Sequence, residues 1–277
     1  MDVTSIADQL FFATVRIDTA DAKGQKGSGT GFLFAHTRDG KEYPFVVTNK
    51  HVAKDADKGG ITFIKRRGDK PSLGDAFRID FDNFETVWHG HPDPEVDITV
   101  TPLVPLVKFM EGRGVEVFYR LVASTNIPTE DQLKELDAIE DVVFVGYPNG
   151  IWDQKNYIPI ARTGTTATPL SIDYEGQKKF LIDASVFGGS SGSPVFIYKS
   201  GAFATKGGPT KIGTLFYFVG VVAAVYFKTA AHDIISLPIP TNMRNVALDK
   251  EMLDLGIVFK GSTVVEAVEA AIIKFGA

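Results

Sequence analysis

Residues 185–196 read "SVFGGSSGSPVF": four serines and three glycines ahead of a single proline. Gly and Ser supply turn conformations at low steric cost, so this composition alone describes an ordinary loop. The segment after the loop decides the fold. "SPVFIYK" (193–199) carries Pro194 and then β-branched and aromatic residues, which reads as a strand. One of the four serines could act as a nucleophile only if the rest of the chain supplies a base and a group to orient that base.

The chain on either side of the loop is also strand-like. Upstream, "FFATVRID" alternates in part, and "GTGFLFA" and "PFVVTNKHV" flank the turn "HTRDGKEY". "ITFIK", "FRIDFD" and "DITVTPL" come next. Brief apolar runs punctuated by Gly, Asp and Pro favour an antiparallel barrel or sandwich over βαβ units. Residues 121–140 change character: "PTEDQLKELDAI" sets Thr129 three residues before Gln132, a capping box for a short connector helix. Strand patterns return in "DVVFVGYP", "NYIPIARTGTT", "KFLIDASV" and "TLFYFVGVVAAVYF". After Pro240 the pattern turns helical, with "NMRNVALDKEMLDLG" ending on a Gly suited to a C-cap. A last helix, 263–275, opens on a capping box at Thr263 and Glu266 and carries apolar Val264, Val265, Val268, Ala271, Ile272 and Phe275. That apolar face is expected to pack on the body of the protein. The expected units are 1–120, a connector at 121–140, 141–240 and a helical tail at 241–277.

With 277 residues, 44% of them hydrophobic, the chain is long enough for one large or two modest cores. Its net charge of −5 argues against a nucleic-acid surface, which shows a basic field. Lys65, Arg66 and Arg67 read as a solvated turn. The absence of cysteine excludes disulfides and thiolate metal sites. "MDVTSIADQLFFATVRID" lacks the basic and apolar regions of a signal peptide. The longest apolar run, 215–227, falls short of a membrane span. A cytoplasmic, non-membrane protein is expected.

Five histidines are present: His36, His51, His89, His91 and His232. His51 ends the apolar stretch "FVVTNKHVA", where an imidazole needs a polar partner. Asp97, in "PEVDITVTPL", is an acid opening an apolar strand, and an unpaired buried carboxylate is costly. Pairing the two satisfies both. With Ser191 they give the chain order His, Asp, Ser.

At this point the sequence resembles the chymotrypsin-like serine peptidases, especially the bacterial trypsin-like branch that includes the HtrA proteases. The matching stretches are "GSGTGFLF" (27–34), "VVTNKHV" (46–52), "VDITV" (96–100), "VGYPNG" (145–150) and "GGSSGSPV" (188–195), in the family's order across residues 8–245. The resemblance implies an all-β fold of two six-stranded antiparallel barrels, here with a C-terminal helical tail. His51 and Asp97 would sit on the first barrel and Ser191 on the second. His51 would act as general base, Asp97 would hold its tautomer, and Ser191 would be the nucleophile. The backbone N–H groups of Gly189 and Ser191 would form an oxyanion hole. Ser185 would lie at the base of the S1 pocket, with Ala223, Ala224 and Val225 along a wall. No acid is then present to attract Lys or Arg, and small or medium apolar P1 residues are expected.

Other motifs compete with this resemblance. Gly188 to Gly192 also fits G-x-S-x-G, the α/β-hydrolase elbow, which would nominate Ser190. An elbow needs a helix next, a later histidine and a βα alternation, whereas this chain continues with Pro194, a strand and only His232. "GSGTG" could suggest a dinucleotide loop, but it leads into a strand. "HGHPDPEVD" offers His89, His91, Asp93 and Asp97 as metal ligands. Its two prolines and the family match favour a surface loop leading to Asp97. No metal or organic cofactor is expected.

The chain departs from the family in two places. Zymogen-activated members place an aspartate just before the nucleophile, where this chain has Ser190. HtrA proteases carry a PDZ domain after the protease, and none is expected here after the second barrel. A cytoplasmic endopeptidase acting on protein or peptide substrates is therefore expected, with narrow specificity or gating by a regulatory protein partner. The alternative is a catalytically silent protease-fold interaction module.

Overall fold

The structure, a computed structural model, describes residues 1–148, 151–234 and 245–275, with side chains for these except 225–253 and 275. The N-terminal half is one sheet of eight strands. These are β1 (Thr14–Asp21), β2 (Lys26–Arg38), β3 (Lys41–Thr48), β4 (Ala56–Arg67), β5 (Lys70–Asp82), β6 (His89–Gly90), β7 (Thr99–Pro102) and β8 (Val122–Ala123). They run in the order β5-β4-β1-β2-β3-β7-β6, with β8 parallel to β2. Two of the eight are only two residues long, which leaves the six longer strands that the sequence indicates. Alternation sets their faces. In β1, Val15 and Ile17 are buried, while Arg16 and Asp18 between and beside them are half-buried and paired.

The C-terminal half is a closed barrel of six strands in the order β10-β11-β14-β13-β12-β9. Its members are β9 (Asp141–Gly146), β10 (Ile160–Thr166), β11 (Lys179–Asp183), β12 (Pro194–Phe203), β13 (Lys211–Ile234) and β14 (Asn245–Lys260). β14 corrects the helix expected over 242–256 from Asn245 onward, residues 242–244 lying outside the described residues. Leu, Ala, Met, Glu and Lys favour helix locally, but pairing with both β11 and β13 overrides that preference. Gly256, which reads as a C-cap, lies inside the strand. A Cβ there would come within 2.8 Å of Val186 and 3.0 Å of Ile182. The glycine is needed for close packing, and it terminates nothing.

Among the described residues there are five short or medium α-helices: α1 (Ile6–Leu10), α2 (Lys50–Ala53), α3 (Leu103–Glu111), α4 (Glu130–Glu135) and α5 (Gly261–Phe275). α4 has the expected box, with Thr129 accepting from the Gln132 N–H and Gln132 accepting from the Thr129 N–H. The box expected at Thr263 does not form. α5 starts at Gly261, the Thr263 hydroxyl donates to the Lys260 carbonyl, and Glu266 pairs with Lys178 instead. α5 packs on the body as its apolar face requires, burying Val264, Val268, Ala271 and Ile272.

The largest core joins the two halves. Phe32 and Phe34 from β2 meet Phe218 from β13 at ring separations of 5.3 and 5.9 Å, and Phe196 from β12 lies 5.8 Å from Phe218. All four side chains are fully buried, which stabilises the junction by roughly 1.5–3 kcal/mol each. This shared core fixes the crevice between the halves.

Candidate active site

β3 carries the chain out of the first sheet and ends at Thr48. Asn49 is extended (φ −84°, ψ 150°), and Lys50 to Ala53 then make one helical turn. His51 therefore stands on α2 and does not end a strand, as its apolar context implies. Its side chain is 48% exposed, so the imidazole is open to the crevice and not buried. Asp97, just before β7, reaches it twice. The carboxylate Oδ2 lies 2.5 Å from His51 Nδ1, and Oδ1 accepts the His51 backbone N–H at 3.0 Å. Asn49 Nδ2 donates to the Asp97 carbonyl at 2.7 Å, tying α2 to the acid's backbone as well as to its side chain. With Nδ1 committed to the carboxylate, Nε2 is the nitrogen left for other chemistry. Lys50 places its ammonium on the Asp93 carbonyl, and desolvation pushes its pKa down against the pull of Asp97, Asp93 and Glu95.

The loop 187–193 approaches from the second barrel. The Ser190 N–H donates to the Phe187 carbonyl at 3.0 Å, closing a four-residue turn. Gly189 occupies the third position of that turn with φ +82°, the geometry of a type II turn and one that favours glycine. Two bonds to Val222 and Ser193 hold the next part: Gly192 N–H to the Val222 carbonyl at 2.8 Å, and Val222 N–H to the Ser193 carbonyl at 3.0 Å. Among the described residues, no acceptor engages the N–H of Gly189 or of Ser191. The Ser191 hydroxyl donates to the Ala223 carbonyl at 3.4 Å, not to the His51 ring. Ser190 is 1% exposed, and its hydroxyl has no partner among the described residues, which sets it apart from the crevice.

Thr30 of β2 joins the two sides. Its N–H donates to the Ser191 carbonyl at 2.9 Å, and its own carbonyl accepts from the Thr48 hydroxyl at 2.7 Å. Ser191 is thus one residue removed, through Thr30, from the strand end that leads into Asn49, Lys50 and His51. Gly192 makes the fit tight: with φ +87°, a Cβ there would sit 1.9 Å from the Thr30 carbonyl oxygen and 2.6 Å from the Thr48 hydroxyl.

The residues expected to form the S1 pocket lie on separate elements. Half-buried Ser185 comes just after β11, while Ala223 and Ala224 belong to β13, Ala223 buried and Ala224 exposed. Val225 pairs through its backbone with Gly256, which in turn packs against Val186, next to Ser185. Of the other motifs, "GSGTG" lies inside β2. In "HGHPDPEVD", His91 is buried, accepts the Asp93 N–H on Nδ1 and meets Glu266 of α5 through Nε2, while His89 faces Lys274. Nothing in the sequence alone singles out Asn49 or Thr30. Both lie inside the motifs that carry the resemblance, but their partners are distant in the chain.

No curated protein sequence matches this chain. Solved structures do resemble it. The Rv3671c protease from M. tuberculosis, in its active form, is 17% identical, with 95% of this chain and 82% of that one covered and a TM-score of 0.46. A thermostable serine protease, AL20, from an extremophilic microorganism is 15% identical over 94% and 97%, also at 0.46. The scabies mite inactivated protease paralogue S-I1 is 15% identical over 96% and 98%, at 0.42. The family model for the trypsin-like peptidase domain matches residues 29–203, more than half of the chain and including both sides of the crevice, and the protein belongs to that family.

Proposed function

We propose that the protein is a serine endopeptidase that hydrolyses peptide bonds through His51, Asp97 and Ser191. The observation that supports this most is the two-point contact of Asp97 with His51, in the crevice to which Thr30 ties the Ser191 backbone. In the proposed reaction the Ser191 hydroxyl turns from Ala223 toward His51 Nε2 and attacks the substrate carbonyl carbon. Its proton passes to Nε2, and the C=O π electrons move onto oxygen. The free N–H groups of Gly189 and Ser191 stabilise that oxyanion, each such donor being worth about 10²–10³ in rate. The C–N bond then breaks, the amine takes the proton from His51, and an acyl-enzyme remains. Water gives a proton to His51, attacks the ester, and the Ser191 oxygen leaves with that proton. Asp97 stabilises the imidazolium throughout. Substrates are proteins or peptides, with a small or medium apolar P1 residue, and activity is restrained by narrow specificity or by a gating protein partner.

One observation favours the silent-module alternative: the Ser191 hydroxyl is bonded to Ala223 and not to His51. A fluorophosphonate probe separates the two. Labelling of the parent but not of Ser191→Ala supports the enzyme; labelling of neither supports the module.

A further inference from the structure

Thr30 is completely buried, and its contacts go well beyond the backbone bridge to Ser191. Its hydroxyl donates to the Gly189 carbonyl at 3.0 Å. The same oxygen accepts the Tyr147 N–H at 3.0 Å and the Ser193 hydroxyl at 3.3 Å. Space around it is tight, for a Cβ on Gly146 would lie 2.5 Å from this oxygen. One residue therefore grips the carbonyls of both Gly189 and Ser191, the two residues whose own N–H groups lack an acceptor.

The geometry has a chemical consequence. Gly189 holds φ +82°, and glycine crosses between positive and negative φ at little steric cost. The turn bond from Ser190 to Phe187 pins the N–H end of the Gly189–Ser190 peptide, and the Gly189 N–H lies one peptide earlier, across the Gly189 Cα. The Thr30 hydroxyl pins the carbonyl end of the same peptide, so the direction of the Gly189 N–H is left to rotation about the Gly189 Cα alone. The Thr30 N–H does the same for the peptide after Ser191. Oxyanion donors act through preorganisation, so a small loss of alignment costs rate without weakening ground-state binding.

We propose that Thr30 is a positioning residue, whose hydroxyl, by holding the carbonyl end of the Gly189–Ser190 peptide, keeps the adjacent Gly189 N–H in register for the developing oxyanion, while its own N–H anchors the peptide after Ser191. This rests on the serine-peptidase reading. Its test separates the rate of nucleophilic attack from probe binding and from folding. Phosphonylation by a fluorophosphonate is followed to saturation in the parent, Thr30→Val, Thr30→Ser and Ser193→Ala, giving kinact, KI and the final labelled fraction. Thr30→Val removes the donor at near-constant volume and is expected to lower kinact at least tenfold with KI changed less than threefold. Thr30→Ser restores the hydroxyl and is expected to stay within threefold of the parent. Ser193→Ala removes a neighbouring hydrogen bond but leaves the Thr30–Gly189 bond, and is expected to keep the parental kinact at reduced melting temperature.

A Thr30→Val protein with parental kinact would overturn the proposal, as would Ser193→Ala slowed to the same extent. If Thr30→Val does not fold, Thr30→Ala takes its place, and failure of both to fold would overturn the proposal by assigning Thr30 to the fold alone. An unlabelled parent would instead overturn the serine-peptidase reading and take this inference with it.

Discussion

Asp97 holds His51 by two separate groups, the ring Nδ1 at 2.5 Å and the backbone N–H at 3.0 Å. The two contacts make different demands. An amide in place of the carboxylate can still accept the backbone N–H, but its NH2 would donate to Nδ1 and leave the proton on Nε2, where the proposed base must be bare. Asp97→Asn is expected to lower the rate of serine modification or turnover about 10⁴-fold while the fold is retained. Single-turnover kinetics beside a thermal melt check this, and an equal loss of both would contradict it.

Gly192 is expected to be far less replaceable than glycines with the same φ in open surroundings. Ala at 192 would combine positive φ with a Cβ driven into the Thr30 carbonyl, at a cost of at least about 3 kcal/mol. Gly24, with φ +82° and nothing near its Cβ position, should cost only about 1–2 kcal/mol on the same change. Urea denaturation of Gly192→Ala and Gly24→Ala gives the comparison.

Alkaline pH should act through Tyr147. Its phenol is buried near Thr14, Arg16 and Asp18, and burial raises its pKa well above the usual 10.0. In the folded protein the proton is retained after the unfolded chain has lost it. This contribution to stability is therefore complete below about pH 10 and falls as pH rises beyond it, by at most about 1.4 kcal/mol per unit. Tyr147→Phe should show a shallower decline between about pH 10 and 12. Parallel slopes for the two proteins would contradict the assignment.

Docking of α5 can be tested with two neighbouring isoleucines. Ile272 is 1% exposed and packs in the shared core, whereas Ile273 is 71% exposed. Ile272→Ala is expected to cost about 2–5 kcal/mol and Ile273→Ala less than about 0.5 kcal/mol. Denaturation midpoints at constant m-value would measure both.

Much of the fold can be read from the sequence because the information is local. The β2–β3 hairpin emerges from two apolar runs around "HTRDGKEY", and α4 from one capping box. β14 cannot be read this way, since Asn245–Lys260 favours helix and becomes a strand only through partners at 179–183 and 220–234. Gly256 in β14 and Thr263 in α5 both resemble helix signals until their distant neighbours are known. α2 is a single turn, too short to show a helical period, so His51 reads as the end of β3. At the site, the residue types His51, Asp97 and Ser191 stand out by chemistry and order. Thr30 does not, because its hydroxyl partners lie 117 to 163 residues away.

The most direct test of the account is the position at which a fluorophosphonate adduct forms, read by peptide mapping and mass spectrometry on the intact protein. The account predicts a single adduct on Ser191 that is lost in His51→Ala. An adduct on Ser190, or one on Ser191 that forms equally well without His51, would contradict it.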